Sequence, residues 1–224
     1  MARFKDKQKA LELREQGQSY SQIKKVLKVS KGTLSSWLKD HPLSRERIKQ
    51  LRDWNEQRIE KFRRTMKEKR QKRLDLVYKE QKKFLLPIKN RELFLIGLGL
   101  YWGEGSKYRM DNISLSNTNP DIIKFYTHWL IDCLGISKEK MRISLHLYKD
   151  MDSKKEISYW SNALKIPKSN FCKPYIKKTS SEFINHKGTF GHGTCNLRIG
   201  NSRLSERIFM DLQIIANEYG CKRA

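Results

Sequence analysis

Gly97-Leu98-Gly99-Leu100-Tyr101-Trp102-Gly103-Glu104-Gly105, continued by Ser106 and Lys107, is the stretch from which this chain is best read. From Leu93 to Trp102 every residue is apolar or glycine, and the run ends on one carboxylate between two glycines. Read as a helix, it brings Gly99 and Gly103 onto one face, four residues apart, as a stripe without side chains. Such a stripe lets a second backbone approach closely, as small residues do between packed helices. Glycine inside a helix costs about 1 kcal/mol against alanine, so three glycines in seven residues point to a packing reason. Glu104 then stands at the end of the helix, held by backbone.

The segment resembles the LAGLIDADG motif of homing endonucleases. Gly99 and Leu100 match its inner Gly-Leu, Gly103 its small residue, Glu104 its acid and Gly105 its last glycine; Trp102 departs from it. The resemblance implies that two motif helices pack together through Gly99 and Gly103. It also implies that the terminal acid of each, here Glu104, binds a divalent metal such as Mg²⁺ at a scissile phosphate. One motif makes one half-site, so a homodimer is expected. A lysine near the acid would steady developing charge; Lys107, Lys173 and Lys177 are candidates that the sequence does not rank.

The chain of 224 residues carries 48 Lys+Arg against 24 Asp+Glu, a formal net charge of +24. That excess points to a polyanionic partner, though charge alone does not choose DNA over RNA. No run of 18 apolar residues is present and the basic N-terminus lacks an apolar segment, so neither a membrane span nor a signal peptide is expected. The four cysteines form no C-x-x-C pair and read as reduced thiols. The location expected is cytoplasmic and nucleoid-associated.

The N-terminus reads as three short helices. The first spans Lys7 to Glu15 and is stopped by Gln16-Gly17-Gln18. Ser19 or Ser21 caps the second, with Tyr20, Ile23, Val26 and Leu27 at helical spacing; Ser30 caps the third, with Leu34, Trp37 and Leu38. The last two make a helix-turn-helix, a pattern that resembles the DNA-binding domains of resolvases and transposases. In such a motif the third helix enters the major groove. Its outward residues are Lys31, Gly32, Thr33, Ser35 and Ser36, with Lys39 near a phosphate. Lys24, Lys25 and Lys28 would sit against backbone phosphates, which position without specifying.

Pro42 closes this module, and residues 43–88 read as a basic helical linker. From Arg45 to about Phe84 there is neither proline nor glycine, consistent with one helix of about forty residues, ~60 Å long. Its Arg63, Arg64, Lys67, Lys69, Arg70, Lys72 and Arg73 form a block able to follow a DNA backbone.

Residues 89–224 read as an α+β domain. After the motif helix, Ser106 to Arg109 starts a strand and Ile113 to Asn117 forms the next. Pro120 opens a helix with Ile122, Phe125, Trp129 and Leu130 inward. Met141 to Tyr148 alternates as a strand, a short helix holds Ile157, Trp160 and Leu164, two strands fit Phe171 to Lys177 and Cys195 to Gly200, and a last helix runs from Ser202 to about Tyr219. The order resembles the αββαββα layout of the LAGLIDADG fold with one inserted helix. The resemblance implies a saddle-like sheet laid into double-stranded DNA. Its polar face would carry Lys107, Arg109, Ser114, Ser116, Arg142, Ser144, His146, Lys173, Tyr175, Lys177, Asn196 and Arg198.

Cys172, His186, His192 and Cys195 fit no common zinc-finger spacing, so zinc is not expected. The reading is a sequence-specific DNA-binding protein, a homodimeric endonuclease using Mg²⁺. The alternative is a non-cleaving transcription regulator or a maturase-like RNA binder on the same fold.

Overall fold

The computed structural model describes residues 4–51, 54–179 and 191–220. They divide into two units, Met1–Leu86 and Pro87–Ala224.

Serines open three of the helices in the first unit. α1 (Phe4–Glu15) ends at Gly17, whose φ of 81° is the left-handed conformation glycine allows. Ser19 caps α2 (Tyr20–Leu27) in a reciprocal capping box: its hydroxyl accepts from Gln22 N and Gln22 Oε1 accepts from Ser19 N. Ser30 caps α3 (Lys31–Leu38), and Ser44 caps α4 (Arg45–Gln50). Ala10, Tyr20, Ile23, Val29, Leu34 and Leu38 are buried together between α1, α2 and α3. Val26, expected inward, is exposed.

The long helix expected from Arg45 to Phe84 is two helices. Leu51 is extended, and α5 runs from Trp54 to Leu85. The break lets Leu51 close a small cluster with Leu43 and Ile48, and Gln57 Nε2 donates to the carbonyl of Leu51. The start of α5 packs into the α1–α3 module rather than running free as a linker. The Glu60 carboxylate takes two hydrogen bonds from the Arg14 guanidinium, at 2.9 and 2.7 Å, and a third from Tyr20 N at 3.1 Å. Arg14 also donates to the carbonyls of His41 and Gln18. Both side chains are 3% exposed. Arg63 lies over the Tyr20 ring, 3.9 Å from its centre. From Lys67 to the end of α5 every residue is exposed.

The second unit is an α+β domain. Its strands β1 (Asn112–Asn117), β2 (Arg142–Tyr148), β3 (Tyr175–Lys177) and β4 (Thr194–Gly200) form one sheet in the order β1-β4-β2-β3. β4 is antiparallel to both β1 and β2, whereas β3 runs parallel to β2. Parallel pairing needs a crossover, and α8 (Ser153–Leu164) lies in it. Strand alternation buries Ile113, Leu115, Ile143, Leu145, Leu147, Cys195, Leu197 and Ile199 in one core. That core is shared with α6 (Asn90–Glu104), α7 (Pro120–Asp132), α8 and α9 (Ser202–Tyr219).

Three expectations are corrected. Ser106 to Arg109 is not a strand: the chain makes one bridge, Gly105 to Leu115, and one hydrogen bond from Ser106 N to Ser114 O. Tyr108 and Met110 are exposed, so this segment has no inward apolar side to hold it in the sheet. Phe171 to Lys177 shortens to β3 with a bridge from Phe171 to Ile143; Pro174 between them has no N–H for a ladder. On α7 the inward stripe is Ile123, Tyr126, Thr127 and Leu130, with Trp129, whereas Ile122 and Phe125 are only partly buried.

Glu60→Gln leaves the Arg14 guanidinium buried without a counter-charge. We expect a loss of about 3 kcal/mol in the first unit, read as faster hydrogen exchange across α1 to α3. Unchanged exchange would show that the pair contributes nothing.

Burial pushes the Tyr101 hydroxyl up to about 12 and Tyr126 well above the ordinary tyrosine value. The unfolded chain releases these protons from about pH 10, earlier than the folded one. The stability these two tyrosines contribute to the second unit is therefore flat below that pH and falls as pH rises from about 10 to 12. The Tyr126 hydroxyl has no hydrogen-bond partner among the described residues. Tyr126→Phe should thus leave stability at pH 7 unchanged or slightly raised, and should make the alkaline loss in denaturant titrations shallower. An equally steep loss would contradict this.

Candidate nucleic-acid interface

Each strand sends alternate residues away from the core, and the registers set them in rows. Ser114, Arg198 and Arg142 make one row across β1, β4 and β2; Ser116, Asn196 and Ser144 make the next. Thr194, His146 and Tyr175 form a third, across β4, β2 and β3, and Tyr148 with Lys177 a fourth. No Asp or Glu occurs among the strand residues of this face. Arg142 and Arg198, both exposed, are direct cross-strand partners. Like charges placed directly opposite destabilise an antiparallel pair, so the fold carries this arrangement at a cost.

Other expected residues fare differently. Ser114 is buried and out of reach of a ligand. Asn196 Nδ2 donates to Ser116 Oγ at 2.6 Å, so these two partly satisfy each other. Arg109 lies in the exposed loop after α6, and Lys173 in the extended segment before β3.

On α3, Lys31, Gly32, Ser36 and Lys39 are exposed, as are Lys24, Lys25 and Lys28 around α2. Thr33 is half-buried, its hydroxyl hydrogen-bonded to Ser30 Oγ. Ser35 does not point outward: Arg63 Nη1 donates to its Oγ at 2.8 Å. Arg63 and Lys67, expected to follow a backbone, instead tie α5 to α3; the Lys67 ammonium reaches the Lys39 carbonyl at 3.4 Å.

The glycines of α6 and its C-cap divide into two pairs. A Cβ on Gly97 would collide with the Trp129 indole, and one on Gly105 with the Tyr101 ring, so both are required inside the chain. A Cβ on Gly99 or Gly103 would meet nothing. These two share an exposed helix face with Leu95, Ile96 and Trp102. The need for Gly97 is tertiary and escapes a reading of motif positions alone.

Glu104 ends α6 with its carboxylate exposed; Oε2 accepts from Asn117 Nδ2 at 3.3 Å. The nearby ammonium is that of Lys107, which donates to the Gly105 carbonyl at 2.8 Å. Lys173 and Lys177 belong to the β3 edge, four strand spacings, roughly 19 Å, from the Gly105 segment. Lys107 is therefore the one candidate lysine beside Glu104 within a chain. Among the described residues no three His, Cys, Asp or Glu stand together. Mg²⁺ keeps several waters and is held by one or two carboxylates plus substrate phosphates. Glu104 fits such a set only as one member, to be completed by a phosphate and a second chain.

Cys195 faces the core, where burial pushes its thiol up. Cys172 is exposed, and His186 lies outside the described residues. His192 Nδ1 is 2.7 Å from the buried Glu156 carboxylate, and its ring stacks on Tyr159. Trp160 Nε1 donates to the His192 carbonyl. These contacts anchor the chain as it enters β4.

No helix among the described residues is long and apolar enough to cross a membrane. Comparison with protein-family models, with curated proteins and with solved structures finds no match to this chain.

Replacing Arg198 by Thr separates the cost of the arginine pair from its use. We expect stability to rise by up to ~0.5 kcal/mol while the slope of log affinity for duplex DNA against log salt falls by about one. A less stable protein with an unchanged slope would mark Arg198 as structural.

Proposed function

We propose that the chain binds double-stranded DNA through the uncovered face of its sheet and through α3, and acts as a homodimer that cuts the bound DNA. The observation that carries the binding is the Arg142–Arg198 pair on a face whose described strand residues include no carboxylate. A polyanion relieves that repulsion and gains from releasing counterions. Ser144, Asn196 and His146 offer hydrogen bonds to base edges. In the first unit Lys31 and Ser36 would read bases, while Lys24, Lys25 and Lys28 hold phosphates.

The dimer follows from α6. A Cβ on Gly99 or Gly103 would meet nothing within one chain, and both lie on an exposed apolar face. A second copy of α6 would use the stripe and bring two Glu104 carboxylates together. These would hold Mg²⁺ against the scissile phosphates; when bound, the metal activates water and stabilises the leaving oxygen. Lys107, in the same turn, would support the developing charge. The second reading, a regulator that binds without cutting, is favoured by the absence, among the described residues, of any cluster of three His, Cys, Asp or Glu.

The test begins with sites selected from random DNA. Sedimentation should show a dimer on DNA, and Mg²⁺, not EDTA, should allow strand cleavage. Glu104→Gln keeps the size and removes the charge, so it should abolish cleavage while binding persists. Binding without cleavage in the unmodified protein supports the regulator. Cleavage that survives in Glu104→Gln would remove the metal role from this residue.

A further inference from the structure

The uncovered sheet face is chemically divided. The rows through Arg142 and Ser144 carry guanidinium, hydroxyl and amide groups, which suit base edges and phosphates. The rows through His146 and Tyr148 carry rings. Tyr175 stands opposite His146 with ring centres 5.5 Å apart and planes inclined at 60°. Lys177 is opposite Tyr148, its ammonium 4.8 Å from that ring's centre.

Tyr175 is 61% exposed on β3, the strand at the sheet edge. The edge contact with His146 steadies its ring and leaves the other side open. In an intact duplex, bases present only their edges to a groove. A large exposed ring face gains nothing from such edges, but it stacks well on a base that has left the helix. An ammonium two residues along the same strand is placed for the phosphate beside that base.

We propose that the β3 edge is a stacking site for an unpaired base, with Tyr175 as the platform, His146 as its support and Lys177 as the phosphate contact. The favoured DNA is then a duplex carrying an extrahelical base, not an intact one. This rests on the reading that the sheet face binds nucleic acid.

The experiment uses the full chain and two probes at one salt concentration: a duplex with a single unpaired 2-aminopurine, and the same duplex without it. We expect binding to quench the 2-aminopurine and to be about tenfold tighter for the bulged probe. Tyr175→Ala should abolish that preference by weakening the bulged probe about tenfold more than the intact duplex; Tyr175→Phe, which keeps the ring, should retain it. Equal affinity for both probes, or equal weakening of both by Tyr175→Ala, overturns the stacking site. An Arg142→Ala, Arg198→Ala double variant separates the two claims. If it leaves both affinities untouched, the sheet face does not bind DNA and the stacking site falls with it. If it weakens both while Tyr175→Ala changes nothing, only the stacking site fails.

Discussion

A sheet with one covered face governs the second unit. Period-two alternation sends Ile113, Leu115, Ile143, Leu145, Leu147, Leu197 and Ile199 into the helical layer. Their neighbours must then project from the other side. A strand cannot hide a charged residue between two buried ones, so Arg142 and Arg198 meet across β2 and β4. The cost of that meeting arises from the covered core.

Charge is unevenly distributed in both units. The chain has half as many acids as bases, and three of its acids are turned inward. Glu60 is bound bidentately by Arg14, Glu156 lies under His192, and Glu56 is buried on α5. A carboxylate held inside by a guanidinium has little field left for the surface. Exposed cations such as Lys24, Lys25, Lys28 and Lys31 are correspondingly less compensated. The Arg14–Glu60 pair also makes the start of α5 inseparable from the helix-turn-helix, because it joins α1, the start of α2, the turn after α3 and α5 in one buried network.

Glycine on α6 shows how one residue type serves two ends. Gly97 and Gly105 make room for Trp129 and Tyr101 within the chain. Gly99 and Gly103 leave open a face that Leu95, Ile96 and Trp102 make apolar. Three of the four lie in α6 and Gly105 caps its end; what a Cβ would meet at each separates the pairs.

Local chemistry in the sequence determined much of this protein. Ser19, Ser30, Ser44 and Asn119 mark helix starts because their side chains cap backbone N–H groups within three residues. Alternation in Ile143-Ser144-Leu145-His146-Leu147 marks β2 and its polar side. Tertiary structure decided what depends on partners distant in sequence. It broke the helix after Gln50 so that Leu51 could join Leu43 and Ile48, and turned the α7 stripe to Ile123 and Tyr126. It took Ser35 and Arg63 for internal contact, paired β3 parallel to β2, and set Lys173 and Lys177 at the edge away from Glu104. The reason is physical: caps and alternation act over a few residues, whereas register, strand order and buried ion pairs are chosen by which distant surfaces exclude water together.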